Sequence, residues 1–444
     1  MKLDLSESSN QTLYLQVYDY YKDMIINGKL PPNAKLPSIR MCAKQLQLSR
    51  TTIETAYLCL AADGYIISKP QSGYYVTELP VHRNNISSAV SYSTTKKSIL
   101  FDFTSSNVDR ESFDFNLWRR YIKSVLRQDD RLLSYGEPQG EYELREALCN
   151  YVTAKRNAVC RPENIVIGAG SQSLLNILCP LIKEKHRVNF HDSHFMQGIA
   201  IFEDYGFELT ETETDADILY MTPSHMTKLG DVMSVTNRLA LLKDAISHQR
   251  LIIEDDYNNE FRYLNRPIPC MQGLASGKHV VYISTFSKLL LPSIRLSFMI
   301  LPDELLSLYE KRKNFYNQTA SKSEQLALCQ FLRDGHLDAQ IRKLKRLYAN
   351  KAKLLQQELQ EVFGSHAYVT LGESVFLVHV ELDYDISTSE LVSRAKAAGI
   401  SVFPATNKKY RAAMVLSCSE VPADKYHEAC LLLKEICLKK GDSF

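Results

Sequence analysis

The chain has 444 residues, of which 45% are hydrophobic and 23% charged; this composition is typical of soluble globular proteins, and the length predicts more than one domain. Its 53 basic and 51 acidic residues leave a net charge of +2, so the total charge does not favour non-specific binding to nucleic acid or membranes. No two of its ten cysteines are spaced as Cys-x-x-Cys, and no apolar run is long enough to span a bilayer. We therefore expect a cytoplasmic protein with no metal site, no disulfide framework and no membrane partner.

The small domain opens with a predicted helix over Leu13–Ile26. A second helix follows the N-cap residue Ser38 and runs to Leu46, and after a three-residue turn Ser49 caps a third helix that ends at Gly64. The inward face predicted for the first helix is Leu13, Val17, Tyr20, Tyr21 and Met24. The inward face predicted for the third helix is Ile53, Ala56, Tyr57 and Leu60. A helix, a short turn and a helix form the motif that places its second helix in a DNA major groove, although plain helical hairpins share this spacing.

Exposed polar residues of this motif predict DNA contacts. The third helix begins with Arg50, Thr51 and Thr52, and the first residues of a recognition helix are those that reach base edges. Arg40 and Lys44 on the preceding helix would lie near the phosphate backbone. Residues 65–76 alternate around a glycine turn, as a two-stranded wing does. From residue 35 to residue 69 there are five basic and two acidic residues, which gives this part a local charge of +3.

Four short motifs occur in order between residues 36 and 76: L-P-S-x-R, S-R-T-T, A-Y-x-x-L and S-G-x-x-V. With these motifs the segment resembles the winged helix-turn-helix domain of the GntR regulators along its whole length. The resemblance implies that the partner is a double-stranded DNA operator. It also implies that Arg40, Arg50, Thr52 and Gly73 lie at positions that touch DNA.

A polar stretch rich in Ser, Thr and Asn follows the small domain and has neither a helical nor a strand period. We interpret residues 79–100 as a linker between a winged helix-turn-helix domain at 10–78 and a larger domain at 101–444. Beyond the linker, apolar runs alternate with amphipathic segments, and the runs are 165–170, 188–190, 217–223, 251–256, 279–285 and 295–301. This alternation predicts an α/β domain whose sheet is mostly parallel and covered by helices on both faces.

Ligands of such sheets bind at the carboxyl ends of the strands, so the residues after each run are informative. Ser171 and Gln172 open a helix after the first run and could form a phosphate cup. Other strand ends carry Asp255, Asp256, Tyr257, Ser287 and Lys288, with Arg295 farther on. A lysine for a Schiff base, a carboxylate for the pyridine nitrogen and a phosphate cup are the parts of a pyridoxal phosphate site. Each residue alone is weak evidence, but their ordered recurrence favours this cofactor.

The segments at 113–120, 135–148, 222–225, 252–263 and 285–302 make residues 101–444 similar to a fold-type I aminotransferase. Together with the N-terminal domain, the chain resembles the MocR subfamily of GntR regulators. The resemblance implies that Lys288 forms the Schiff base, that Asp255 rather than Asp256 contacts the pyridine nitrogen, and that Tyr257 contacts the phenolic oxygen. It further implies roles for residues around the phosphate and the ring: Ser171, Gln172, Ser287 and Arg295 on the phosphate, Phe195 stacked on the ring, and Tyr135 reaching the phosphate from the second subunit of a homodimer.

The chain departs from the family at the effector. Members that sense an amino acid hold its carboxylate with two arginines, whereas this chain has Gln197 near the first position and Val415 at the second. Arg411 is an alternative anchor if the alignment shifts. We therefore expect pyridoxal phosphate to act as effector or effector-sensing cofactor, in control of vitamin B6 or amino acid metabolism genes. The alternatives are an aminotransferase that carries a DNA-binding domain and a regulator whose large domain is only a dimerisation scaffold.

Overall fold

The structure is a computed structural model that describes residues 12–78, 99–104, 107–192, 195–227, 231–262, 268–406 and 410–438. The chain separates into two compact units, with the boundary between residues 95 and 96. All of the predicted linker except residues 99 and 100 lies outside the described residues.

The small unit has three helices followed by a two-stranded antiparallel wing. Its elements are α1 (Leu13–Ile26), α2 (Ile39–Leu46), α3 (Arg50–Ala62), β1 (Ile66–Lys69) and β2 (Gly73–Val76). The side chains of Ser38 and Ser49 accept hydrogen bonds from the Met41 and Thr52 amides at 3.2 and 3.1 Å, so both predicted N-caps are confirmed. Gly64 has φ +77° just after α3, a conformation that favours glycine.

The inward face predicted for α3 is confirmed, because Ile53, Ala56, Tyr57 and Leu60 are all buried. The face predicted for α1 is partly wrong: Leu13 is 42% exposed, and the buried residues are Val17, Tyr18, Tyr21 and Ile25. Tyr21 packs edge-on against Tyr57 with ring centroids 5.6 Å apart, and this contact fixes which side of α1 meets α3.

The large unit is an α/β unit with a long helix near its C-terminal end. Its helices are α4 (Phe115–Leu126), α5 (Asp129–Leu132), α6 (Tyr142–Arg156), α7 (Ser171–Leu178), α8 (Met196–Asp204), α9 (Val235–Ser247), α10 (Met271–Leu274), α11 (Asp303–Glu310), α12 (Lys322–Arg333), α13 (His336–Phe363), α14 (Thr388–Ala397) and α15 (Tyr426–Leu438). Its strands are β3 (Phe101–Asp102), β4 (Ile165–Gly168), β5 (Arg187–Phe190), β6 (Glu208–Leu209), β7 (Ile218–Met221), β8 (Leu251–Asp255), β9 (Val280–Thr285), β10 (Ser297–Ile300), β11 (Ala367–Leu371), β12 (Leu377–Leu382), β13 (Ile400–Ser401), β14 (Phe403–Pro404) and β15 (Ala412–Ser417).

The larger sheet has the strand order β4-β10-β9-β8-β7-β5-β6. Strand β10 is antiparallel to both neighbours and the other pairs are parallel, so the predicted mostly parallel sheet is confirmed. Five of the six predicted apolar runs each contain one of its strands, and the sixth, 188–190, lies within β5. Alternate residues of β4 enter different cores, since Ile165 and Ile167 belong to one apolar cluster and Val166 to another. Helices therefore cover both faces of the sheet, and its carboxyl edge is left for ligands.

A smaller antiparallel sheet, in the order β11-β12-β15-β14, follows α13 in the chain. Its register places Leu377 opposite Ser417 and His379 opposite Val415. Because side chains alternate between faces along a strand, these four residues share one face. The short strands β3 and β13 pair separately in parallel, so the start of the large unit lies beside residues near its C-terminal end.

Candidate cofactor and DNA-binding sites

Two adjacent carboxylates end β8, and their surroundings differ. Asp256 accepts hydrogen bonds at both oxygens, from Arg156 Nε at 2.6 Å and Nη2 at 2.9 Å, from Ser224 at 2.6 Å and from Tyr282 at 2.8 Å. Burial alone would raise the pKa of Asp256, but the Arg156 charge and these hydrogen bonds hold it below its usual value. Asp256 is thus part of a buried structural network.

Asp255 is buried too, but it pairs with no cationic side chain of the described residues. The Tyr220 hydroxyl donates to its Oδ2 at 2.7 Å. Burial raises the pKa of Asp255 to about 6, despite the hydrogen bond from Tyr220. A buried carboxylate of this kind is suited to a cationic N–H partner, which a protonated pyridine ring provides.

Lys288 lies in the turn after β9 and is buried. Its Nζ donates to the Asn107 carbonyl and to Ser419 Oγ, both at 3.0 Å, and lies 5.1 Å from the centre of the Phe376 ring. Burial lowers the pKa of Lys288 to about 8. More of this amine is therefore neutral near pH 7 than in an exposed lysine, as a nucleophilic lysine requires.

The N-terminus of α7, where we predict a phosphate cup, lies beside Arg295, whose Nη2 donates to the Ala169 carbonyl at 3.2 Å. The N-cap residue is Gly170, which has φ +102° and no side chain to cap the first turn. A Cβ at Gly170 would lie 2.3 Å from Arg295 Nη2, so only glycine lets the guanidinium approach the helix end this closely. Amide groups at a helix N-terminus beside a guanidinium are suited to a phosphate group.

The other predicted phosphate residues show intermediate or full exposure. Ser171 is half-buried in the first turn of α7, and Gln172 beside it is exposed. Ser287 is half-buried, and its hydroxyl lies 3.1 Å from the Thr285 hydroxyl at the end of β9. Tyr135 is fully exposed in the single chain, with a relative accessibility of 102%, whereas Lys288 is buried.

Aromatic rings lie in and after the neighbouring strands β5, β7 and β8. Phe195 lies just before α8 with its ring centre 5.5 Å from that of Tyr220. Tyr257 stacks on His225, with centroids 5.1 Å apart and an interplanar angle of 17°, and burial raises the Tyr257 pKa. A Cβ at Gly198 would lie 2.1 Å from the Phe195 ring, so the first turn of α8 packs closely under that ring.

The candidate carboxylate anchors are not in place to serve as such. Val415 is fully buried in β15 as part of an apolar core. Arg411 forms an ion pair with Asp385 at the surface, with 72% of the arginine side chain and 92% of the aspartate side chain exposed. Gln197 is exposed on α8. The structure thus does not support Arg411 as a buried anchor beside Lys288.

In the small unit, four of the predicted DNA contacts are exposed: Arg40, Lys44, Arg50 and Thr51. Thr52 is half-buried, and its hydroxyl lies 2.7 Å from the Ser49 hydroxyl, so it also takes part in the cap of α3. Gly73 opens β2 with φ +109°. On the wing, the Lys69 and Lys35 ammonium groups lie 4.6 and 5.7 Å from the centre of the Tyr75 ring. These two lysines were part of the local charge count but were not predicted individually as contacts.

A model of the family described as bacterial regulatory proteins, gntR family, matches residues 13–76, and a model described as aminotransferase class I and II matches residues 99–228. The chain is 34% identical to the uncharacterized HTH-type transcriptional regulator YdeL of Bacillus subtilis, over 90% of this chain and 92% of YdeL. It is 29% identical to the probable rhizopine catabolism regulatory protein MocR of Rhizobium meliloti, over 79% of this chain and 78% of MocR. The chain belongs to the MocR subfamily of GntR regulators.

Two further comparisons place this MocR-type regulator. It is 24% identical to the HTH-type pyridoxine biosynthesis transcriptional regulator PdxR of Corynebacterium glutamicum, over 85% of this chain and 86% of PdxR. Its fold is similar to that of the kynurenine aminotransferase of Pyrococcus horikoshii, with a TM-score of 0.65, 20% identity, and coverage of 77% of this chain and 92% of the enzyme. The protein is therefore a transcription regulator of the GntR type whose large domain has the fold-type I aminotransferase fold.

The sequence did not indicate several residues that contact Asp255 and Lys288. Tyr220, which bonds Asp255, is hidden inside an apolar run, whereas His225 ends the T-P-S-H motif and could have been singled out there. Asn107 and Ser419 bond Lys288 from distant parts of the chain, so no local motif indicates them. Among the described helices none is long and apolar enough to cross a membrane. The same residues hold no group of three or more His, Cys, Asp or Glu that could bind a metal ion.

Proposed function

We propose that this regulator binds pyridoxal phosphate covalently at Lys288 and that the bound cofactor changes its affinity for an operator. The observation that carries the proposal is a buried lysine and a buried carboxylate at strand ends of one sheet, in a chain whose expected anchor positions hold Val415 and Gln197. Lys288 is buried with a lowered pKa, and Asp255 is buried without a cationic partner in the described chain. Val415 occupies, as a core residue, the position where we expect an anchoring arginine.

Pyridoxal phosphate supplies an aldehyde that a lysine amine can bond covalently, and a ring that withdraws electrons. Asp255 would hold the proton of the ring nitrogen, and Tyr257 would donate to the phenolic oxygen. The residues assigned to the phosphate and the ring are Ser171, Gln172, Ser287 and Arg295 for the phosphate, Phe195 for the ring face, and Tyr135 from the second subunit of a homodimer. Gly170 supports the phosphate assignment, since its missing side chain leaves room for the Arg295 guanidinium.

We infer that the effector is the cofactor itself rather than an amino acid. An amino acid that enters without a guanidinium partner leaves its carboxylate desolvated, at a cost of several kcal/mol. The similarity to PdxR, which is described as a regulator of pyridoxine biosynthesis, supports a role in vitamin B6 metabolism. The competing possibility, a working aminotransferase with a DNA-binding domain, is favoured by Lys288, Asp255 and Tyr257. Against it, the two positions where we expect anchoring arginines hold Gln197 and Val415.

The deciding experiment is a titration of the full-length chain on DNA from directly upstream of its own gene, with and without pyridoxal phosphate, at one stated salt concentration. We expect the cofactor alone to change the apparent dissociation constant by about fivefold or more. A protein that binds DNA but ignores the cofactor until an amine or amino acid is added would overturn the effector assignment. Turnover of amino donors without any DNA response would favour the aminotransferase.

The DNA interface has its own test, because α3 is proposed to enter the major groove with Arg50 and Thr51 leading and Thr52 beside them. Arg40, Lys44 and the wing at Gly73 would contact the adjacent backbone. Arg50→Ala should weaken operator binding by about 1–3 kcal/mol, as expected for an arginine that reaches a base edge. The cofactor absorbance should stay unchanged. If operator affinity survives in Arg50→Ala, the placement of the recognition helix is wrong.

A further inference from the structure

Two cysteines of the large unit have their sulfurs side by side. Cys149 lies on α6, and Cys160 lies on residues 157–161, which follow this helix and which we call the return segment. Their Sγ atoms are 3.3 Å apart, and both residues are half-buried. All ten cysteines lie within the described residues, and among them this is the only pair joined by a hydrogen bond between two sulfurs. The bonded distance in a disulfide is about 2.05 Å, so a small shift of either side chain closes the gap.

Several contacts hold the return segment against the last turns of α6. Asn157 ends the helix with φ +53°, the left-handed conformation in which the chain turns back. The Ala158 carbonyl accepts a hydrogen bond from the Thr153 hydroxyl at 3.1 Å, and the Cys160 carbonyl accepts one from Cys149 Sγ at 3.1 Å. Cys160 is therefore fixed over the side of the helix that carries Cys149.

Helix α10 also holds the return segment. The Gln272 side chain accepts from the Val159 amide at 2.9 Å and donates to the Val159 carbonyl at 2.7 Å, which fixes the residue next to Cys160. A Cβ at Gly273 would lie 2.0 Å from the Asn157 carbonyl oxygen, so α10 lies directly against the backbone of the segment. The fold thus keeps the two thiols together, and fixed proximity of this kind strongly favours a reaction between two groups.

The hydrogen bonds assign different roles to the two sulfurs. The Cys160 thiol donates to Cys149 Sγ, and burial together with this hydrogen bond raises the pKa of Cys160. Cys160 therefore keeps its proton and can donate it in a hydrogen bond to a thiolate on Cys149. The thiolate is the form of cysteine that attacks an oxidant. Cys149 is thus suited to react first, with Cys160 as its resolving partner.

We propose that Cys149 and Cys160 form a redox site that a peroxide converts into a reversible intramolecular disulfide. The Cys149 thiolate attacks one oxygen of hydrogen peroxide, an S–O bond forms as the O–O bond breaks, and the departing hydroxide takes up the proton that Cys149 released. The Cys160 sulfur then attacks Cys149 Sγ, an S–S bond forms as the S–O bond breaks, and the oxygen leaves with the Cys160 proton as water. Two thiols and one peroxide thus give one disulfide and two waters, with the sulfurs oxidised and the peroxide oxygens reduced. A dithiol reverses the reaction by exchange.

The test treats the reduced full-length chain with hydrogen peroxide in the absence of denaturant. Cleavage with trypsin and a glutamate-specific protease gives residues 147–155 and 157–163 as separate peptides, each with one cysteine. We expect mass spectrometry to find these two peptides joined, with a mass two hydrogens below their sum. Dithiothreitol should release them. The readout requires no cofactor and no DNA, so this proposal and the proposed function can fail separately.

Three serine variants test the roles of the two sulfurs. Cys160→Ser should lose the linkage and accumulate a sulfenic acid on Cys149 that dimedone traps, because the resolving thiol is gone. Cys149→Ser should lose the linkage and leave Cys160 unmodified. Cys59 is the remaining half-buried cysteine and lies in the small unit, so Cys59→Ser is the matched control. It should form the linkage as completely as the unaltered chain.

Two results would overturn the proposal without the use of any variant. One is a chain in which both cysteines stay reduced while free cysteine in the same solution is fully oxidised. The other is peroxide oxidation that joins Cys149 or Cys160 to different cysteines or to a second chain. A trapped sulfenic acid on Cys160 of the Cys149→Ser variant, with none on Cys149 of the Cys160→Ser variant, would show that the assigned roles are wrong.

Discussion

The carboxyl edge of the larger sheet and the last strand of the smaller sheet belong to one unit but differ in chemistry. At the edge, Asp255 and Lys288 are buried polar groups whose pKa values are shifted toward neutrality by burial. On β15, Val415 is a fully buried apolar residue opposite His379, at the place where we expect an effector anchor. Buried ionisable groups cost free energy, so their retention favours a ligand that uses them.

The difference separates the part of the aminotransferase fold that keeps buried ionisable groups from the part that is filled by apolar core side chains. Buried carboxylates and amines persist where a binding partner repays their desolvation, whereas a position without such a partner can be filled by a core side chain. If this division is correct, substitutions at the carboxyl edge should change cofactor binding, whereas a substitution on β15 should change only stability. The largest effect is expected at Lys288.

Replacing Lys288 with Ala should abolish covalent cofactor binding and any cofactor effect on DNA, because its Nζ is the amine that we propose bonds the cofactor aldehyde. The visible absorbance of the cofactor-loaded protein should disappear, and circular dichroism should show a folded chain. Binding to DNA without cofactor should persist. A Lys288→Ala protein that still gives the absorbance would place the attachment on another lysine.

Asp256 and Asp255 should respond in opposite ways to the change from Asp to Asn. Asp256→Asn leaves Arg156 buried without its charge partner and should lower the free energy of unfolding by about 3–5 kcal/mol. Asp255→Asn should change stability little but weaken cofactor binding about ten- to hundredfold, because it loses a charge-assisted hydrogen bond. Denaturant melts and absorbance titrations of both variants check this. Equal effects of the two changes would contradict the division of roles at the end of β8.

Val415→Ala provides the contrast from the unused strand. Removing methyl groups from a packed core should destabilise the large unit by about 1–3 kcal/mol, through lost burial and a small cavity. The dissociation constants for pyridoxal phosphate and for DNA should not change. If Val415→Ala lost the effect of the cofactor on DNA binding without losing stability, β15 would belong to the cofactor site.

Much of this picture could be predicted from local sequence. Ser38 and Ser49 are recognisable caps, and the six apolar runs are long enough to indicate strands of the larger sheet. The smaller sheet could not be predicted in the same way, because its pairing joins β12 to a strand after α14, and register is a tertiary property. The Arg156–Asp256 pair joins residues 100 positions apart, so the distinction between Asp255 and Asp256 depended on family spacing until the contacts were known.

The smallest expected effect concerns the pH dependence of Lys288. Its pKa of about 8 means that the neutral amine, the form that attacks an aldehyde, is the minor form at pH 7 and half of the total at pH 8. The rate of cofactor attachment should therefore rise about fivefold from pH 7 to pH 8 and level off above pH 9, whereas an ordinary lysine, with a pKa of about 10.4, should gain about tenfold per unit throughout. Stopped-flow absorbance on the cofactor-free protein, with a free lysine derivative as control, measures both curves. If the rate for the protein keeps rising beyond pH 9 as the control does, burial does not lower the pKa of Lys288. The contrast between the carboxyl edge and β15 would then rest on Asp255 alone.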